Sequence, residues 1–156
     1  MKNIIIVDMQ KGFITERNKY LIERINKYLQ DNTFDNIYFT KCVNNEKSPF
    51  TTILNWTGVT KEQEQEIVLK LPQKAKIIIK DTYGISDKEI QKIKELGISE
   101  IEICGTDIDA CCLAIAFNLF DNGIKPKILL DLCGTICDNE NINDGIKDLI
   151  KRQFGI

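Results

Sequence analysis

A cysteine placed where a short apolar strand turns into an apolar helix is the group in this chain best set to do covalent chemistry. Ile101-Glu102-Ile103-Cys104 reads as the strand, Gly105 to Asp109 as a tight polar turn, and Ala110-Cys111-Cys112 as the opening of the helix. The free amides and positive dipole end of a helix favour a thiolate over a thiol, so this position predicts an activated Cys111. The chain has no histidine. A Cys-His pair is therefore excluded, and any base serving Cys111 is a carboxylate or a lysine. Two charges close other apolar strands: Asp8 follows Ile4-Ile5-Ile6-Val7, and Lys80 follows Ile77-Ile78-Ile79. In a parallel sheet the three strand ends share one edge, where a carboxylate, an ammonium and a thiol suffice for covalent catalysis. Asp8 would take the thiol proton, and Lys80 would stabilise the thiolate and hold Asp8 in place. Backbone amides of the turn from Asp107 to Cys111 would form an oxyanion hole for a tetrahedral intermediate. Read singly, Asp8 and Lys80 are also ordinary strand-end charges at solvated loops.

The elements that must carry these residues follow from hydrophobic periodicity. Strands are predicted at Asn3–Asp8, Asn36–Lys41, Ala75–Lys80, Ser99–Cys104 and Lys127–Leu132. Helices are predicted at Glu16–Gln30, Lys61–Leu71, Asp87–Leu96, Ala110–Asn122 and Ile142–Arg152. Ile4 to Val7 and Ile77 to Ile79 are continuously apolar, the pattern of strands buried on both faces of a parallel sheet. Alternating strands and helices predict a three-layer α/β/α fold, Rossmann-like, on five to six parallel strands with right-handed crossovers. The segment from Cys42 to Thr60 has no clean period and leaves a carboxyl strand end, where ligands sit in open α/β sheets. It is either a pocket wall or an ordinary surface loop with Trp56 packed on the core. Phe13, Trp56 and Tyr83 flank the motifs and are candidates for substrate-pocket walls or for the core. The helix after Cys111 is apolar without interruption to Phe117, so it needs cover beyond the sheet: a homodimer contact or a neighbouring helix.

Composition bounds the function. At 156 residues, with 43% hydrophobic and 28% charged, the chain reads as a single globular domain over residues 1–156. A net charge of −2 spread along the chain offers no basic footprint for nucleic acid. The apolar run before Asp8 is only four residues long, too short for a signal-peptide core or a membrane span, so a cytoplasmic location is expected. Six cysteines in such a chain are not a disulfide scaffold. Cys133 and Cys137 lack partners at metal spacing, and no histidine completes a zinc site, so neither metal nor cofactor is expected.

The three motifs together resemble the isochorismatase-like cysteine hydrolases. The first is Ile4-Ile5-Ile6-Val7-Asp8-Met9-Gln10-Lys11-Gly12-Phe13, and the second Ile79-Lys80-Asp81-Thr82-Tyr83-Gly84-Ile85-Ser86. The third is Cys104-Gly105-Thr106-Asp107-Ile108-Asp109-Ala110-Cys111-Cys112, followed by the apolar helix and Asp131. The resemblance spans nearly the whole chain. It implies Asp8 as base, Lys80 as its partner and Cys111 as nucleophile, with the amides of Ile108 and Cys111 as oxyanion hole and a cis peptide just before Ile108. Register separates the two cysteines, since helix neighbours point about 100° apart. Cys112 shares a face with Ile115, Ala116 and Leu119, as a core residue does, which leaves Cys111 for the pocket. The implied activity is hydrolysis of the C–N bond of a small amide or ureido compound through a thioester on Cys111.

Departures from the family pattern matter as well. Ile108 stands where the family usually has threonine, and the histidines of the nicotinamidase metal site are absent, which lowers that activity. The chain ends at Phe154-Gly155-Ile156, where the family would supply a sixth strand, so the sheet edge is expected to be exposed or to need a partner. The alternative is a catalytically silent binding or regulatory module on the same fold. A haloacid-dehalogenase-like reading of Asp131-Leu132-Cys133-Gly134-Thr135 fails because Cys133 occupies the second aspartate position. A dinucleotide-binding reading fails for want of a glycine-rich turn after the first strand.

Overall fold

A computed structural model describes residues 1–155. Five strands form one parallel sheet: β1 (Asn3–Val7), β2 (Asn36–Cys42), β3 (Lys76–Lys80), β4 (Glu100–Thr106) and β5 (Lys125–Gly134), in the order β3-β2-β1-β4-β5. The helices are α1 (Tyr20–Asp31), α2 (Pro49–Thr52), α3 (Asp87–Glu95), α4 (Cys111–Asp121) and α5 (Glu140–Phe154), with a 3-10 turn at Lys11–Phe13. The chain steps one way from β1 to β3 and the other way from β4 to β5. Right-handed crossovers put the helices of the two halves on opposite faces of the sheet. This is the α/β architecture that the strand-helix alternation predicts.

Side-chain burial explains why these segments are strands. Ile4, Ile5, Ile6 and Val7 are all fully buried, so β1 is covered on both faces, as its continuous apolar run requires. Leu21 and Ile25 of α1, Ile90 and Ile93 of α3, and Ile115, Ala116 and Leu119 of α4 close the core around the sheet. Ser86 caps α3, accepting from the Glu89 amide, with Asp87 and Glu89 in the first turn and Lys92 and Lys94 in the last. β4 and β5 lose register between Ile103 and Gly105, where Ile128 and then Cys133 are the partners, so β5 bulges through Leu129 to Leu132.

Three expectations are corrected. Residues Lys61–Leu71 form turns and a single antiparallel bridge from Ile67 to Gln10, not a helix. Their carbonyls serve another segment: Gly12 N–H donates to Glu64 O at 2.8 Å and Lys11 N–H to Glu66 O at 2.9 Å. Val68 N–H in turn donates to Met9 O at 2.9 Å. Without a helix over residues 61–71, β3 is not buried on both faces: Ile77 and Ile79 are 43% and 68% exposed, while Ile78 between them is buried. The stretch Glu16–Gln30 enters its helix only at Tyr20, after a run of turns.

The apolar flank of α4 finds part of its cover within the chain. Phe117 and Phe120 pack on Phe154 of α5, with ring centroids 5.1 and 6.0 Å apart. Among the described residues no helix is long and apolar enough to cross a membrane.

Candidate active site

β1 and β4 are neighbours, and the chain leaves them in opposite directions, so their carboxyl ends flank the crevice where open α/β sheets bind ligands. Asp8 immediately follows β1 in a left-handed conformation, with φ of 46°. Its amide donates to Thr40 Oγ1 at 3.0 Å, and the same hydroxyl donates to Asp8 Oδ1 at 2.6 Å. Thr40 lies near the end of β2, the next strand, and this double bond fixes the carboxylate. Lys80 ends β3, two strands away from β1, a span of about 10 Å at ordinary strand spacing. A lysine stem crosses that gap. Its Nζ lies 2.7 Å from Asp8 Oδ2, with both side chains almost wholly buried.

Cys111 reaches the same point from the first residue of α4. Lys80 Nζ lies 3.3 Å from Cys111 Sγ and also donates to Thr82 O at 2.8 Å. The structure thus brings together the carboxylate, ammonium and thiol expected from the strand ends. Cys112 points into the core and is fully buried.

The approach of β4 to β1 depends on Gly105. It has φ of 117°, and a Cβ there would collide with the Val7 carbonyl. The turn after it has a cis peptide between Thr106 and Asp107, one bond earlier than the motif suggests. The Ile108 amide donates to Gly134 O at 2.8 Å, so it is committed and does not form the expected oxyanion pair with Cys111. The amides of Asp107 and Cys111 make no hydrogen bond among the described residues.

Electrostatics revise one expectation. The helix terminus does not leave Cys111 as a resting thiolate. Burial above all, and then the Asp8 charge, raise the thiol above its ordinary range, with Lys80 opposing them. Burial pulls Lys80 down, but Asp8 and Cys111 outweigh it and hold the ammonium above its usual value. The resting pair is a protonated thiol beside an ionised lysine and a carboxylate. Asp107 is pushed up to about 6, chiefly by burial and then by the Asp109 and Asp8 charges, against hydrogen bonds from the Thr106 hydroxyl and the Ile136 amide.

Cys111 opens into a cavity of about 370 Å³ lined by Phe13, Phe50, Leu54, Trp56 and Tyr83 together with Asp107, Ala110 and Ile136. Phe13 and Trp56 stack at 5.9 Å, and Phe50 meets Trp56 and Tyr83 edge-on at 5.5 and 4.9 Å. The 42–60 segment is therefore a cavity wall. It is held by Asn44, whose Nδ2 donates to Trp56 O and Gly58 O at 3.0 and 2.9 Å. Sequence reasoning missed Phe50, Thr40, Gln10 and the side chain of Asp107, whose turn it singled out for its backbone amides alone. Gln10 ties three segments together, donating to Cys42 O and Gln65 O and accepting from the Cys42 amide at 2.7 Å. A buried polar residue inside the apolar run Ile37-Tyr38-Phe39-Thr40 was the available signal for Thr40.

Comparison with known proteins bears on the fold and the family. An isochorismatase-like hydrolase from Alkaliphilus metalliredigens superposes with a TM-score of 0.83 at 15% identity, covering 97% of this chain and 92% of that one. A pyrazinamidase of Pyrococcus horikoshii, solved in complex with zinc, gives 0.83 at 19% identity over 98% and 96% of the two chains. An N-carbamoylsarcosine amidase from Thermoplasma acidophilum gives 0.81 at 16% identity over 99% and 94%. No curated protein sequence matches the chain. At these identities the structures speak for the fold, whereas the isochorismatase domain profile matches residues 2–152 of the sequence itself. With almost the whole chain inside that match, the protein belongs to the isochorismatase family of hydrolases.

Proposed function

We propose that the protein is a cysteine hydrolase that cleaves the C–N bond of a small amide or ureido compound through a thioester on Cys111. The observation that carries this reading is the buried contact of Asp8, Lys80 and Cys111 at the floor of the aromatic cavity. In the first half-reaction Sγ attacks the substrate carbonyl carbon while Asp8 accepts the thiol proton. Lys80 stays charged throughout and offsets the negative charge as it moves between Asp8 and sulfur. The tetrahedral oxyanion is held by the amides of Asp107 and Cys111, which, like that of Asp109, have no acceptor among the described residues. Collapse breaks the C–N bond, and Asp8 returns its proton to the departing amine. Water then attacks the thioester with Asp8 again as base, releasing the acid and restoring the thiol.

The raised thiol fits this sequence. A nucleophile kept protonated by burial and a neighbouring carboxylate is deprotonated only as attack proceeds, which spares it from adventitious electrophiles. The zinc held by the Pyrococcus pyrazinamidase has no matching donor set here. The chain has no histidine, and among the described residues no three acidic or thiol groups are placed to hold a metal ion. No step is therefore routed through a metal.

The test is ammonia release from a panel of small primary amides and N-carbamoyl compounds, with intact-protein mass spectrometry after rapid acid quench. The expected result is turnover of at least one compound with an acyl mass on Cys111, and loss of both in Cys111→Ala. Turnover that survives Cys111→Ala would sink the covalent mechanism.

A further inference from the structure

Among the described residues Asp107 is the only charged one lining the cavity, in a lining otherwise mostly apolar and aromatic. Its Oδ1 is anchored by the Thr106 hydroxyl and by the Ile136 amide at 3.1 Å, whereas Oδ2 has no protein partner among the described residues. The nearby positive charge is not available to it. Lys80 is occupied by Asp8, the Thr82 carbonyl and Cys111. With Asp8 and Lys80 cancelling and Cys111 a neutral thiol, the formal charge at this end of the cavity is that of Asp107, reinforced by Asp109 in the same turn. Asp109 Oδ1 is buried without a hydrogen-bond partner among the described residues. The same cavity is lined by the rings of Phe13, Phe50, Trp56 and Tyr83, and aromatic faces attract cations.

We propose that Asp107 is a specificity-determining residue and that the substrate is a small amide carrying a cationic group, an ammonium or amidinium, received between Asp107 and the aromatic wall. The proposal rests on the hydrolase reading for the word substrate, but binding tests it without turnover. A carboxyl held near its titration range by burial is poised to gain from an incoming cation, which would restore its ordinary acidity. The same geometry disfavours anionic amides, since no unpaired basic group lines the cavity.

The test uses the full chain as Cys111→Ala, so that no hydrolysis occurs, and reads the fluorescence of Trp56, the chain's single tryptophan. Three amides of matched length are titrated at about pH 7.5: γ-aminobutyramide, valeramide and glutaramate, which end in an ammonium, a methyl and a carboxylate. The expected order is ammonium, methyl, carboxylate, with the first about tenfold tighter than the second. In Cys111→Ala/Asp107→Asn that ratio falls to about one, because Asn keeps the acceptor for Ile136 but not the charge. In the Asp107-intact protein, added salt should weaken the ammonium ligand and leave valeramide unchanged. That readout needs no second variant to fold. A preference that survives Asp107→Asn, equal affinities in the intact protein, or no saturable binding of the ammonium amide would each overturn the proposal. Failure of the hydrolase reading has a different signature: the binding preference stands while wild type releases no ammonia.

Discussion

Replacing Asp8 separates proton transfer from thiol chemistry. With Asn at this position the thiol loses the carboxylate that helps keep it protonated, and Lys80 is left to pair with sulfur. Asp8→Asn should abolish turnover yet speed iodoacetamide labelling of Cys111 at about pH 7 by about tenfold, the effect of one pKa unit on thiolate fraction. Peptide mass spectrometry across all six cysteines checks it. Slower labelling would mean that Asp8 activates the resting thiol. A second prediction concerns Asp107. Its carboxyl rises from 3.8 to about 6 on folding, so the folded state holds more protons in that interval and stability falls as pH rises through it. Asp107→Asn should therefore raise the melting temperature at about pH 7.5, by an amount worth about 2 kcal/mol, and much less at about pH 4. Asp8, Lys80 and Cys111 were legible because each closes or opens an apolar element. Thr40, Gln10 and the Asp107 side chain were not, because their roles depend on which segments become neighbours.

At the scale of elements, the strands were readable from their apolar runs, and the helices that pack on them from their period. The exception, Lys61–Leu71, is rich in Lys, Glu and Gln, which favour helix locally. Its main chain is instead spent on the Met9–Gly12 turn beside the site, a partnership that local propensity does not encode. The consequence for β3 is testable. Ile79 is 68% exposed, so Ile79→Lys should change the unfolding free energy read by urea titration by less than about 0.5 kcal/mol, despite lying in an apolar strand. Gly105 makes the opposite case. Gly105→Ala forces a side chain against Val7 and a left-handed backbone together, and should cost about 2–4 kcal/mol by urea titration.

Over the whole molecule, the site joins residues from four strand ends that are distant in sequence, and the order β3-β2-β1-β4-β5 is what makes them neighbours. The sequence called for a parallel sheet but held no direct record of that order; it placed Asp8, Lys80 and the Cys111 turn at carboxyl strand ends on one edge. Of the four strands involved, β3 lies at the edge and is covered on one face only. Edge elements with little burial open by themselves, well below the free energy of global unfolding. Lys80 sits at the last residue of that strand, so each opening of β3 withdraws the cation from Asp8 and Cys111 while the rest of the sheet stays intact. Turnover should then disappear at lower urea than the far-ultraviolet circular dichroism signal. In the same range, amide exchange at Ile77 to Lys80 should run ahead of exchange in β1, so that the working enzyme is lost before the folded protein is.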